Sequence, residues 1–418
     1  MVLGRQDAAH AAATVVARHS YGRLLAYLAA RSGDVAAAED ALGDAFAAAL
    51  VQWPERGAPD NPDAWLLTVA RRRLADRRRG QGLAGAAEPR LTLMREEIEA
   101  AAAEPALPDR RLALMFACAG PEVDPALRAP LMLQVILGLT AAEIGAAFLV
   151  PPATMGQRLS RAKARLREAG RPLALPPLEA WPARLFAVLE AVYAGYAKGW
   201  SELGEPEGEA LAEEALWLGQ VLAALLPGEA EALGLLALML YAEARRAARR
   251  SPAGDYAPLD EQDTALWDPA MIARAEALLS QASALAGPSG RFQIEAAIQS
   301  AHVARRLSGL DTWPDILALY DHLLRLIPSP VVALNRAVAL ARVEGPAEGL
   351  SALRRLGEDG RLADYQPYWA ALGRLSAEAG EAVAAIEALT LACGLSDDPA
   401  VRAYLQGQIA RLKAAGLQ

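Results

Sequence analysis

Two cysteines in 418 residues, Cys118 and Cys393, are too few and too far apart for a disulfide framework or a zinc cluster. Both sit in apolar helical patterns, where a thiol behaves as a small inert hydrophobe. Histidine is equally scarce: His10, His19, His302 and His322 stand at no metal-ligand spacing. No phosphate loop or nucleophile elbow is present. The reading is therefore a protein that is not an enzyme and that needs no metal or cofactor. Aromatic residues reach only 6% while hydrophobic residues reach 54%, with alanine and leucine dominant; this composition favours helix over strand. No apolar run approaches the roughly 18 to 20 residues that span a bilayer, and the N-terminus MVLGRQDAAH lacks a signal-peptide core. The expectation is a cytoplasmic protein without membrane contact.

The chain is long enough for two or three domains with ample core. Its net charge of −8 conceals a split. The first 170 residues carry 21 Lys and Arg against 19 Asp and Glu, and the remainder carries 21 against 31. A mildly basic N-terminal part with arginine clusters suits nucleic acid, whereas the acidic C-terminal part does not.

The stretch Thr140 to Arg167, TAAEIGAAFLVPPATMGQRLSRAKARLR, reads as two short helices joined by a tight turn. Thr140 and Glu143 have the spacing of a capping box. Pro151 and Pro152 break the first helix, and Pro152 suits the first turn of the second. In that second helix Met155, Leu159, Ala162 and Leu166 share one face, while Gln157, Ser160, Arg161, Ala164 and Arg165 share the other. This is the layout of a helix-turn-helix whose second helix enters a major groove. A plain amphipathic hairpin with a solvated basic face fits the same spacing, and the preceding residues weigh against it.

Residues 8 to 30 predict a first amphipathic helix ending near Gly33. Asp34 is placed to cap a second, with Ala38, Leu42, Ala45, Phe46 and Ala49 as its apolar stripe and Glu39, Asp40 and Asp44 solvated; Trp53 and Pro54 close it. Asn61 and Pro62 open a third helix, in which Leu66, Val69 and Leu74 face a core. That helix carries Arg71, Arg72, Arg73, Arg77, Arg78 and Arg79, a density that reads as a phosphate-contacting face. Residues 80–108 read as a linker.

Taken together, the helix with Ala38-Glu39-Asp40 and Asp44-Ala45-Phe46, the helix AWLLTVARRRLADRRR and the terminal RLSRAKARLR resemble a group 4, or extracytoplasmic-function-type, sigma-70 factor. FLVPPATMGQRLSRAKARLREAG and LLRLIPSPVVALNRAVALA resemble the subgroup with a tetratricopeptide-like extension. The resemblance implies that Glu39, Asp40, Leu42, Asp44 and Phe46 dock on core RNA polymerase, whose β′ and β subunits and promoter DNA are the implied partners. It implies that Trp65, Arg71, Arg72, Asp76 and Arg77 act at the minus-ten element, where a base leaves the stack and basic residues hold the backbone. Thr154, Gly156, Gln157, Arg158, Ser160, Arg161, Lys163 and Arg165 match the part that meets the minus-thirty-five element; of these, Arg158, Lys163 and Arg165 hold phosphates. Two departures stand out. Leu149 occupies a place where many such turns have glycine, and Gly156 offers no side chain to a base.

Beyond Trp181, alanine- and leucine-rich helices are punctuated by prolines at intervals that suit stacked hairpins. Trp369, Leu372, Gly373, Ala385, Ala392 and Pro399 follow a tetratricopeptide pattern, and Ala337, Ala339 and Gly349 mark a weaker copy. Small residues at these places serve close packing and name no ligand, although a solenoid face commonly receives a protein or peptide partner. Ser251 to Pro269 interrupts the periodicity with a long acidic loop.

The expected fold class is all-α: two small helical domains, the second with the helix-turn-helix, then a helical-hairpin solenoid. The expected boundaries are 1–79, a linker at 80–108, 109–170 and 171–418. The function implied is promoter-directed initiation, with the acidic extension folding back on the arginine-bearing faces. The alternative is a polymerase-independent helix-turn-helix regulator with a protein-binding repeat domain.

Overall fold

The computed structural model describes residues 20–81, 109–202, 206–358 and 360–415. Among them are eighteen α-helices and no strand. The linker expected at 80–108, apart from its first two residues, and the start of the first helix lie outside the described residues. The chain divides into two compact units, Met1–Gly219 and Gln220–Gln418.

The first unit opens with α1 (20–32), α2 (Val35–Arg56) and α3 (Pro62–Gln81). Gly33 takes φ +72° and ends α1; Asp34 then caps α2 by accepting from the Ala37 N–H at 3.1 Å. A left-handed backbone suits glycine, and an exposed N–H of the first turn suits a short carboxylate. The apolar stripe of α2 buries Val35, Ala38, Ala41, Leu42, Ala45, Ala49 and Trp53. Two expectations are corrected here. Phe46 is only half-buried, and α2 does not close at Trp53 and Pro54 but continues to Arg56. Proline removes one donor, which is tolerable in a last turn, and Gly57 at φ +85° ends the helix by donating to the Trp53 carbonyl at 2.8 Å.

Asn61 caps α3 through the Ala64 N–H at 3.1 Å. Every residue from Ala64 to Ala70 is buried, whereas Leu74 is half-buried. Trp65 stands edge-on to Trp53 with ring centroids 5.5 Å apart.

Helices α4 (Arg111–Cys118), α5 (Pro125–Val135), α6 (Ala141–Ala147) and α7 (Pro152–Ala169) follow. Burial pushes the Cys118 thiol up to about 12, so it stays protonated. Helix α1 lies directly on the end of α5. Gly22 faces the Ile136 carbonyl with no room for a Cβ, and Gly138 lies against the Tyr21 ring.

Two further helices, α8 (Pro182–Ser201) and α9 (Pro206–Leu225), carry the chain to the unit boundary, which falls within α9. Helix α8 packs along α5 and α4. Trp181 meets Phe116 at a centroid distance of 4.5 Å, and Arg184 donates to the Phe116 carbonyl at 2.8 Å. From α9, Glu214 accepts from Arg111 at 2.7 Å, and Arg111 lies 4.3 Å from the Trp217 ring centroid. The start of the extension thus lies against α4 and α5, while Arg158, Arg161 and Arg165 on α7 are exposed. Within this unit the extension packs through apolar side chains, which Trp181, Leu185, Val188 and Val192 on α8 supply.

The second unit contains α10 (Ala230–Glu243), α11 (Pro269–Ala284), α12 (Arg291–Ser308), α13 (Trp313–Leu326), α14 (Pro330–Glu344), α15 (Pro346–Leu356), α16 (Gln366–Glu378), α17 (Ala382–Gly394) and α18 (Pro399–Ala415). From α12 onward each helix packs on the next. Proline stands in the first two positions of α11 and α13 to α16, where its missing N–H goes unneeded. The small residues flagged by the repeat pattern sit at close helix approaches. A Cβ on Gly373 would lie 2.7 Å from Leu389 Cγ, and one on Gly349 would lie 2.8 Å from the Ala337 carbonyl oxygen.

Candidate nucleic-acid interface

The α6–α7 pair is built by local rules. Thr140 accepts from the Glu143 N–H at 3.3 Å, and Glu143 accepts in return from the Thr140 N–H at 2.8 Å and hydroxyl at 2.7 Å. This reciprocal cap fixes the start of α6. At its end the chain reverses through Leu149, at φ +55° the one non-glycine residue in the left-handed region among the described residues. Such a conformation is costly for a residue with a Cβ, and neighbouring bonds hold it. The Val150 N–H donates to the Gly145 carbonyl at 2.8 Å. A Cβ on Gly145 would lie 2.5 Å from the Val150 carbonyl oxygen, so the turn closes only over a glycine. Gly145 is a residue that the spacing analysis did not single out.

Helix α7 then buries Met155, Leu159, Ala162 and Leu166, the apolar face expected. Gln157, Arg158, Ser160, Arg161 and Arg165 are exposed along the rest of the helix, and Thr154 and Gly156 are half-buried. Gly156 is not required by packing, since a Cβ there would meet only the Ala141 Cβ at an ordinary 3.7 Å.

Lys163 departs from expectation. Its ammonium donates to Glu39 at 2.6 Å, with the two side chains 15% and 16% exposed. A residue expected to hold phosphate and one expected to dock on polymerase therefore satisfy each other. Burial holds the Glu39 carboxyl above the ordinary carboxylate range, aided by Asp40 and Asp34, although Lys163 pulls it down.

The remaining acidic positions of α2 are not simply solvated. Asp40 accepts from Arg77 at 2.8 Å, and Asp44 lies 3.9 Å from Arg77 and 4.0 Å from Arg73. These pairs are exposed and exchange easily with other partners. Leu42 is wholly buried, so it shapes α2 and has no surface for polymerase. Trp65 is likewise in the core, against Trp53, and has no face free to stack on a base; apolar burial outcompetes the nucleic-acid role that the resemblance implied. Arg71 and Arg72 are half-buried and Asp76 is exposed. Arg71 donates to the Tyr27 hydroxyl, and its guanidinium lies 5.1 Å from that ring's centroid. Arg31 also donates to this hydroxyl, at 3.3 Å. Tyr27 is a second residue missed from sequence, and its helical spacing to Arg31 was the available signal. The side chains of Arg78 and Arg79 lie outside the described residues.

The fold of α1 to α3 coincides with a known family. Residues 16–83 match the family described as Sigma-70 region 2. This stretch is a sigma-70 region 2. A second match, to a family of unknown function (DUF6596), covers residues 184–283, from α8 to the end of α11. An uncharacterized protein of Rhizobium meliloti (strain 1021) is 37% identical over 400 residues, covering 94% of this chain and 93% of that one. This chain and that relative thus belong to one family over nearly their whole lengths. No solved structure matches. A sigma-70 region 2 supports a role in transcription initiation, and it disfavours a regulator that works without polymerase. No helix among the described residues is long and apolar enough to cross a membrane.

Proposed function

We propose that this chain is a group 4 sigma factor in a closed state. Region 2 docks on core RNA polymerase through the acidic side of α2 and acts at the minus-ten element through α3. The helix-turn-helix of α6 and α7 reads the minus-thirty-five element with Gln157, Ser160 and Arg161, while Arg158 and Arg165 hold phosphates. The tetratricopeptide-like extension regulates this activity and carries a site for a partner protein.

The observation that carries the reading is the region 2 match on a chain whose α7 exposes this row of basic and polar residues. Geometry supports the closed state. Two promoter boxes about 25 base pairs apart are separated by roughly 85 Å of duplex at the rise of B-form DNA. Helices α2 and α7 instead touch through Glu39 and Lys163, so both boxes cannot be engaged until that contact breaks. Polymerase, by taking the acidic side of α2, competes directly with Lys163. Binding of polymerase and release of α7 are then one linked equilibrium.

The test is transcription from genomic DNA by core polymerase lacking any sigma subunit, supplemented with the purified full chain. Discrete start sites sharing a two-box upstream motif are expected. A chain that does not bind polymerase at all would return the polymerase-independent regulator to first place.

A further inference from the structure

The acidic loop of the second unit is held by a strip of basic and aromatic side chains drawn from helices far apart in sequence. The loop leaves α10, forms a small antiparallel bridge between Arg250 and Tyr256, and presents Asp260 and Glu261 side by side. Asp260 pairs with Arg305 of α12 and lies 3.5 Å from Arg374 of α16. Glu261 accepts from the Tyr404 hydroxyl of α18 at 2.8 Å. Arg306 donates to the Gln262 carbonyl at 2.7 Å. Arg305 also lies 4.8 Å from the Trp313 ring centroid, and Tyr256 stands edge-on to Tyr404 at 5.6 Å. A short acidic 3-10 turn, Leu259–Glu261, thus rests on arginine and tyrosine, and both a main-chain carbonyl and side-chain carboxylates are received.

Two features distinguish this strip from an ordinary loop anchor. First, Asp260 and Glu261 are themselves exposed; exposed carboxylate pairs exchange readily with competing carboxylates. Second, the receiving surface is incompletely satisfied. The buried Nε atoms of Arg305 and Arg306 and Nδ1 of His302 have no hydrogen-bond partner. Buried polar atoms left unmatched are uncommon, and all three are donors or can become donors.

We propose that this strip is the receiving site for an acidic peptide turn of a partner protein, and that the 3-10 turn carrying Asp260 and Glu261 occupies it as an internal stand-in. Arg305 and Arg374 clamp one carboxylate between them, the Tyr404 hydroxyl takes the carboxylate of the next residue, and Arg306 takes a main-chain carbonyl. A tethered segment competes at an effective concentration in the millimolar range, so a free peptide gains the strip only when it carries more carboxylate or apolar contact than the loop. This assignment does not depend on promoter recognition by the first unit.

The test uses the full chain and a fluorescein-labelled peptide with the sequence of residues 256–266, read by anisotropy at low and at physiological salt. Asp260→Ala with Glu261→Ala frees the strip, and its affinity for the peptide is expected to rise at least tenfold over the unsubstituted chain. Adding Arg374→Gln, a change at a half-exposed side chain that folding tolerates, is expected to remove most of that gain. A peptide with Asn and Gln in place of Asp and Glu is expected not to bind. Equal affinity of the unsubstituted and double-substituted chains overturns the proposal, as does equal binding of the neutral peptide. Tighter binding of single-stranded DNA than of the acidic peptide overturns it too, because the strip would then be a nucleic-acid surface.

Discussion

Breaking the Glu39–Lys163 pair is the most direct way to weigh the closed state. The two groups lie 2.6 Å apart and each side chain is about one-sixth exposed, a setting between a surface pair and a fully buried one. Removing one partner of a fully buried pair costs roughly 3 to 5 kcal/mol, and a surface pair contributes roughly 0 to 1 kcal/mol. For this intermediate burial the expected loss is about 2 kcal/mol for Lys163→Met, which strands the Glu39 carboxylate. A loss of that size shifts the closed-to-open ratio by roughly thirtyfold. Glu39→Gln keeps the shape and removes the charge, so the double variant reports whether the two residues act as a pair. The assay is energy transfer between dyes at Gly43→Cys on α2 and Ser160→Cys on α7, both exposed positions, with Cys118 and Cys393 replaced by alanine in the reference chain. Lys163→Met is expected to lower the transfer, and the cycle is expected to show a coupling above about 1 kcal/mol. A coupling indistinguishable from zero, with transfer unchanged in all three variants, would falsify the claim that this pair holds α2 and α7 together.

Gly145→Ala places a Cβ 2.5 Å from the Val150 carbonyl oxygen and is expected to lower stability by about 2 kcal/mol, with an amide-exchange increase confined to α6 and α7; an unchanged urea midpoint would contradict it. Gly156→Ala meets only ordinary contact and is expected to raise stability by roughly 0.5 to 1 kcal/mol, while footprinting reports whether the bare backbone at that position is needed for promoter reading. His302 is held down to about 4 by burial and by Arg305 and Arg245. Because its folded pKa is depressed, its stabilising contribution is present above the unfolded value of about 6.5 and is lost as pH falls toward 4. His302→Gln is expected to flatten the stability profile in that window by at most about 3 kcal/mol, measured as urea midpoints at pH 7 and pH 4.5; identical slopes would rule it out. A chain ending after Pro176 removes α8 and is expected to melt lower or aggregate, since Phe116 and the α5 surface lose Trp181, Leu185, Val188 and Val192. A truncated chain that melts like the full one would show α4 to α7 to be independent of α8.

What could be read from the sequence was what is decided locally. Asp34, Asn61 and Thr140 with Glu143 cap the helices they were expected to cap, and Met155, Leu159, Ala162 and Leu166 form the buried face of α7. These outcomes depend on residues within one or two turns. The Glu39–Lys163 pair spans 124 residues and has no such signal. Leu42 and Trp65 show another limit. A position matched to a docking or DNA-opening helix does not separate a side chain that touches the partner from one that props the helix from inside, and here the core claims both. Leu149 marked an irregularity that could be seen in the sequence, but the compensating glycine at Gly145 became visible only once the turn had closed over it.

The bare seam at Gly22 has its own consequence. With no side chain there, α1 rests directly on the Ile136 carbonyl, and a single added methyl acts as a wedge between the two lobes of the first unit. Neither the acidic side of α2 nor the exposed face of α7 would change. On the proposed reading, the balance between closed and open states is reset by one atom placed away from both proposed contact surfaces.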